Sequence, residues 1–206
     1  YQFFIIIYSV FLRFTSTKTL WILLALLPFN ALQYLNNING FAHQSYFKQQ
    51  AYSDSKKPEE TAEANRLVNT ESYDIHLMNW CLFKASEEVR NRHHAKQLQF
   101  SEALRNAAMI HSNEMVIHSF YNHINAKNSQ LKTPEQRLHL FGISNVEMAE
   151  NVHKFPFENN GVSYINLARA IVKDFYDSPN HRKNLLNKNF NSIGCAALWE
   201  FDKKES

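Results

Sequence analysis

From Asp74 onward the apolar residues recur at helical spacing. Ile75, Met78, Leu82, Ala85 and Val89 form one stripe, with Glu87, Glu88, Arg90 and Arg92 outside it. That period predicts an amphipathic helix running to about His93. A second helix is predicted from Ser101, a residue type that caps helix N-termini, with Leu104, Ala108, His111 and Met115 following at intervals of three or four. The adjacent Ala107 and Ala108 would let another element approach closely. Thr133-Pro134-Glu135-Gln136 supplies a cap, a proline at the first helical position and a glutamine able to close a capping box. Gly142 ends that short helix. A fourth helix is predicted from Ser163 to Tyr176, burying Ile165, Ala168, Ile171 or Val172, and Phe175. Ser178-Pro179 then stops it and restarts a short helix through Leu186.

Strand signals are fewer. Met148–Val152 is one short candidate, and Asn191–Trp199 places Ile193, Cys195, Ala197 and Trp199 on one face at period two. Helices dominate, with a small sheet between them, so the pattern predicts a layered α/β arrangement.

The region before Asp74 reads differently. Within residues 1–42, two apolar stretches, Phe3–Leu12 and Leu20–Leu27, flank a polar patch carrying Arg13 and Lys18. Neither reaches the roughly 20 residues needed to cross a bilayer as a helix. Lys18 followed by Thr19–Leu27 has the form of a signal-peptide n-region and h-region, with a small-x-small pattern at Gly40-Phe41-Ala42. The alternative is an uncleaved amphipathic or membrane-anchoring helix. The first methionine is Met78, so the chain is expected to start upstream. Residues 43–73 are polar and read as a linker that cannot bury enough surface to offset its ordering entropy. Residues 74–206 are then the folded domain.

Composition narrows the function. The 206 residues include 4 Gly, too few for a collagen-like sequence, a turn-dense barrel or a glycine-rich phosphate loop. No dinucleotide, P-loop, nucleophile-elbow or zincin motif occurs. The 22 basic and 19 acidic residues give +3, and the basic ones are scattered, which argues against nucleic acid as a partner. Two cysteines, Cys81 and Cys195, are too few for a disulfide scaffold; they are read as free thiols, a single bridge being the alternative.

Five local patterns occur in order: His111-Ser112-x-x-Met115; Phe120-Tyr121-Asn122-His123; Arg137 ahead of Phe141-Gly142; Ala149-Glu150-Asn151-Val152; and Phe175-x-x-Ser178-Pro179-Asn180-His181-Arg182-x-Asn184-Leu185-Leu186, followed by Phe190 and Ile193-Gly194. Together, over about residues 75–199, they resemble the CAP (SCP-like) superfamily of cysteine-rich secretory, antigen 5 and pathogenesis-related proteins. The Ser-Pro-x-His-Arg-x-Asn-x-Leu form resembles its bacterial extracellular branch. The resemblance implies a three-layer α-β-α sandwich with a small, mostly antiparallel sheet, and a cleft lined by two histidines and acidic residues. By position, His123 resembles the first cleft histidine, Glu150 the cleft glutamate and His181 the second histidine. Ala149 stands where glycine is commonest, and Ser178 where animal and plant members tend to carry a second glutamate. Members usually continue past the Ile-Gly strand into a further strand, which Glu200–Ser206 is too short and charged to supply; the domain is therefore expected to lack its last strand, a loss that would leave a sheet edge unpaired.

Two imidazoles and a carboxylate could hold Zn²⁺ or another divalent cation with an open position for water, so His123, Glu150 and His181 are candidate metal ligands. The preferred reading is that they brace the cleft through mutual hydrogen bonds, with at most weak metal binding and no cofactor required. Hydrolysis would use His123 or His181 as general base, with Glu150 orienting an imidazole or activating a metal-bound water. Ser178 lies three positions before His181 and could form a Ser-His dyad, although serine before proline at a helix start is more often a cap. His111 is read as a core imidazole satisfied by a carbonyl. Arg137, Asn151 and Asn184 are read as structural supports. The expected function is an exported, non-enzymatic module binding a lipid, cell-envelope or protein ligand at the extracellular or cell-surface side; a metal-assisted, peptidase-like hydrolase is the alternative. Membrane contact is expected only through residues 1–42, if uncleaved.

Overall fold

A computed structural model describes residues 2–11, 61–158 and 161–200 of the chain. Among these are four strands, β1 (Gln2–Phe11), β2 (Gln99–Phe100), β3 (Glu147–Pro156) and β4 (Ser192–Glu200). Six helices accompany them: α1 (Ala62–Asn65), α2 (Ile75–Arg92), α3 (Glu102–His118), α4 (Pro134–Leu140), α5 (Tyr164–Asp177) and α6 (Pro179–Leu185). The sheet order is β2-β4-β1-β3, with β1 antiparallel to both neighbours and β2 parallel to β4.

The helix starts follow the capping chemistry of the sequence. Asp74 accepts from Leu77 N at 3.0 Å to open α2, and Ser101 accepts from Leu104 N at 3.4 Å to open α3. Thr133 and Gln136 form the reciprocal box at α4, with Gln136 N donating to Thr133 Oγ1 at 3.3 Å and Thr133 N donating to Gln136 Oε1 at 2.9 Å. Gly142, at φ 76°, takes the left-handed conformation after α4.

Strand alternation assigns the layers. On β1, Ile5 and Ile7 pack with α2, α5 and the Ile193, Cys195, Ala197 and Trp199 face of β4. Ile6 and Tyr8 point the other way, into a core with Leu104, Ala108 and Met115 of α3 and Leu138 of α4. The sheet is thus sandwiched between two helical layers. Both cysteines are buried free thiols, and burial pushes the Cys81 thiol up to about 12.

Three expectations about organisation are corrected. Gln2–Phe11, read as part of a leader spanning 1–42, is the strand between β3 and β4. A run of β-branched and aromatic residues without charge suits a strand covered on both faces as well as it suits a leader. Ile5, Ile6, Ile7 and Tyr8 are all at most 3% exposed, and burial of such a side chain stabilises by about 1.5–3 kcal/mol. The sheet edge expected beside β4 is therefore paired, by β1. Within the expected linker 43–73, Ala62–Asn65 is helical and Leu67 bridges to Ser163. The expected leader elements at Leu20–Leu27 and Gly40–Ala42, and linker residues 43–60, lie outside the described residues. No helix among the described residues is long and apolar enough to cross a membrane.

Candidate functional site

Register places the centre of the site. Tyr8 on β1 stands opposite Glu150 on β3 and Gly194 on β4. From α4, the fully buried Arg137 reaches the same point. Its Nε donates to Tyr8 Oη at 2.8 Å. Nη1 donates to the Leu131 and Lys132 carbonyls at 2.9 and 3.3 Å. Nη2 donates to the His123 carbonyl at 2.9 Å and to Glu150 Oε2 at 2.8 Å. All five guanidinium N–H groups are thereby engaged, the condition under which a buried arginine is tolerated.

The other carboxylate oxygen, Glu150 Oε1, lies 2.7 Å from His123 Nδ1. The His123 side chain is 52% exposed while that of Glu150 is 3% exposed, so the carboxylate sits behind the imidazole. Burial alone would raise the Glu150 pKa, but the His123 hydrogen bond, the Arg137 charge and the Tyr8 hydroxyl together hold it below the usual carboxylate range. Burial and the neighbouring carboxylate push the Tyr8 hydroxyl well above its ordinary value.

Two supports fix the loop that carries His123. Asn125, itself fully buried, donates through Nδ2 to Glu114 Oε2 at 2.7 Å and takes a 2.8 Å bond from its own N–H to the Lys132 carbonyl. His111, also fully buried, donates from Nε2 to the Asn122 carbonyl at 2.9 Å. Burial first, and then the Arg137 charge, bring its pKa down to about 4, so it is a neutral imidazole.

His181 arrives from α6. Asn151 on β3 donates through Nδ2 to the His181 carbonyl at 3.1 Å, and Asn184 Nδ2 donates to Asn151 Oδ1 at 2.9 Å. The imidazole stands edge-on to Phe175, ring centroids 5.3 Å apart. Burial, and then the nearby His153 and His123, lower its pKa. His181, His123, Tyr121, Asn122 and Val152 line one pocket of about 240 Å³.

The remaining predicted residues are placed as follows. Glu150 is behind this pocket rather than on its wall. Ser178 does not line it; it holds the cap position of α6, yet its hydroxyl makes no cap hydrogen bond, and its backbone engages instead, the N–H donating to the Asp174 carbonyl at 3.2 Å and the carbonyl accepting from Arg182 N at 2.8 Å. A three-ligand metal set of His123, Glu150 and His181 does not fit this geometry. Glu150 turns one oxygen to an imidazole and the other to a guanidinium, and among the described residues no group of three His, Cys, Asp or Glu side chains is placed to hold an ion.

Sequence reasoning missed Tyr8, Tyr121 and Asn122. Tyr121 and Asn122 stand inside the motif that revealed His123, and exposure would have singled them out. Tyr8 carries no chemical signal in the sequence beyond being a hydroxyl-bearing residue, next to Ser9, within an apolar run. A larger cavity, of about 720 Å³, lies between α4 and the start of β3 and includes Leu138, Leu140, Ile143 and Met148, but neither cleft histidine.

A family model described as CAP, the cysteine-rich secretory protein family, matches residues 83–199. The chain is similar to a curated protein of Bacillus subtilis (strain 168), described as uncharacterized protein YkwD, with 26% identity over 140 residues. That match covers 68% of this chain and 49% of the relative, so the chain spans about half the relative's length. Among solved structures it is similar to an extracellular protein containing a SCP domain from Bacillus anthracis str. Ames, at 18% identity and a TM-score of 0.44, covering 60% of this chain and 40% of that one.

Proposed function

The chain belongs to the cysteine-rich secretory protein (CAP) family, and on that premise we propose that it is an exported, non-enzymatic binding module whose ligand, a cell-envelope component, a lipid or a protein, sits in the Tyr121–His123–His181 pocket. The observation that carries this reading is the complete commitment of Glu150. A carboxylate that bonds His123 through one oxygen and Arg137 through the other braces a surface. At 3% exposure it sits behind His123 and not on the pocket wall, where a water would have to be activated. The Ser178 hydroxyl neither caps α6 nor lines the pocket, which does not favour it as a nucleophile.

Export is part of the proposal and conflicts with one feature of the fold. Cleavage at Gly40–Ala42 would remove β1 and leave the inner edges of β3 and β4 unpaired, which is costly. Export with residues 1–42 retained is the version compatible with this sheet. The N-terminal sequence of the exported protein decides it.

The binding proposal is tested by pull-down of envelope extract and lipid binding with wild type and His123→Ala. Loss of capture in the variant, with unchanged melting, is the expected outcome. Equal capture by both would move the site elsewhere. The hydrolase alternative predicts turnover that a chelator abolishes and that Glu150→Gln eliminates in a folded protein.

A further inference from the structure

The pocket wall has a polarity that selects among ligands. Glu150 is held as an acceptor-only carboxylate by Arg137 Nη2 at 2.8 Å. The proton in its 2.7 Å contact with His123 therefore resides on His123 Nδ1. In a neutral imidazole this leaves Nε2 as an acceptor, on a side chain that is half exposed. Beside it, Asn122 Oδ1 already accepts from Ile124 N at 2.9 Å, so the donor that Asn122 can offer is its amide nitrogen.

Tyr121 completes the wall. Its hydroxyl donates to the Val152 carbonyl at 3.0 Å, pinning the ring by its edge, yet the residue stays 49% exposed. An aromatic ring held this way is a pre-ordered platform, whose negative face attracts the partly positive C–H groups of a flat saturated ring. Among the described residues no lysine or arginine lines the pocket, and the buried carboxylate lies behind His123. An anionic ligand would meet no counter-charge there. At about 240 Å³ the space falls below the roughly 300–1,000 Å³ of sites for drug-sized ligands, which suits one ring rather than an extended acyl chain.

Resting on the binding reading above, we propose that this pocket takes one uncharged, hydroxyl-bearing sugar ring, such as a neutral unit of an envelope polysaccharide. A ring hydroxyl donates to His123 Nε2, another accepts from the Asn122 amide, and the C–H face packs on Tyr121. The ligand is bound, not cleaved.

The test is a titration of the full chain, followed by NMR of the histidine imidazole nitrogens and the tyrosine rings. Three probes are compared: tri-N-acetylchitotriose, a uronic-acid oligomer of similar length, and phosphatidylcholine vesicles. The neutral saccharide is expected to perturb His123 Nε2 and the Tyr121 ring saturably. Tyr121→Ala should weaken it about tenfold while Tyr121→Phe, which keeps the ring, loses little. The free protein should show the His123 proton on Nδ1; finding it on Nε2 overturns the assignment. If the uronate or the vesicles shift His123 and the neutral saccharide does not, the sugar proposal fails while the binding pocket stands. If no probe moves His123 and the resonances of Leu138 and Met148 respond instead, both fail together.

Discussion

Two arginines are completely buried among the described residues, and they are used in opposite ways. Arg90, on α2, donates only to backbone carbonyls: to Lys96 through Nε at 2.8 Å and through Nη2, and to Leu185 and Asn187 through Nη1 at 2.7 and 3.1 Å. It ties the turn after α2 to the end of α6. Arg137, across the sheet, reaches three carbonyls but also a carboxylate and a phenol. Burial lowers the Arg90 pKa; around Arg137 burial acts the same way, but Tyr8 and Glu150 outweigh it and raise the value. One guanidinium is a staple for chain segments. The other is half of a charge pair whose purpose is to hold Glu150, and through it His123, in one orientation.

The largest expected effect comes from breaking that pair. Arg137→Met leaves Glu150 buried without its counter-charge and is expected to lower stability by about 3–5 kcal/mol in urea unfolding. The double change Arg137→Met with Glu150→Leu removes both charges and should restore most of the loss. Arg90→Met strands carbonyls only, and no single second substitution can rescue it. Recovery in the double variant, with His123 released, is the result expected from a charge pair kept for positioning. A loss below about 1 kcal/mol for Arg137→Met would remove the basis of the contrast.

How much of this was legible in the sequence follows the same division. The helices around both arginines were readable because caps and apolar spacing are local. Asp74, Ser101, Thr133 and Gly142 each act within a few residues of where they stand. His123, Glu150 and His181 were legible only through the family pattern, since nothing local places them together. Tyr8 was not legible at all, because its partner Glu150 is brought opposite by strand register across most of the chain. Glu150 could be named as a site residue, but which group each of its oxygens meets could not be foreseen. That outcome depends on which way Arg137 points, and a motif carries no side-chain direction.

Acid should separate the two regions next. His111, beside the Arg137 network, titrates near 4 in the folded protein against an ordinary value of 6.5, chiefly through burial. Between these values the unfolded chain binds the proton and the folded chain does not, so stability falls as pH drops from 6.5 towards 4. The loss is on the order of 3 kcal/mol over that window. Glu150, with its lowered value, adds a further loss at still lower pH. Near Arg90 the sign reverses, because burial raises the Glu87 pKa; there the folded state gains protons first and is favoured as pH falls. Urea titrations from pH 7 to pH 4 should show a slope that His111→Asn flattens. An unchanged slope would mean that His111 is not the source of the acid sensitivity.

A smaller effect, of about 1–3 kcal/mol, is expected from Gly194→Ala. A Cβ at Gly194 would stand 2.3 Å from Arg105 N and 2.4 Å from Leu104 Cβ, so α3 would have to lift from β4. Because Gly194 pairs with Tyr8, the displacement falls on the Arg137 side. Hydrogen exchange should therefore quicken in α3 while α2 keeps its protection. Equal loosening of both helices would show that the two layers do not respond separately.

The smallest change tests the clamp without touching it. Thr133 accepts from Gln136 N, and the reciprocal bond closes the box one turn before Arg137. Thr133→Ala should cost about 1 kcal/mol, a loss that any exposed cap would give. What distinguishes this one is where it is felt. α4 has only seven residues, so fraying its first turn frees the backbone that aims the Arg137 side chain. The His123 imidazole resonances should then broaden or shift although His123 is not a neighbour of Thr133 in sequence. Thr133→Ser, which keeps the accepting oxygen, should restore both the stability and the imidazole signal. If Thr133→Ala lowers stability by that amount and leaves His123 unmoved, the clamp is rigid on its own, held by the Leu131 and Lys132 carbonyls, and α4 contributes a scaffold rather than an aim.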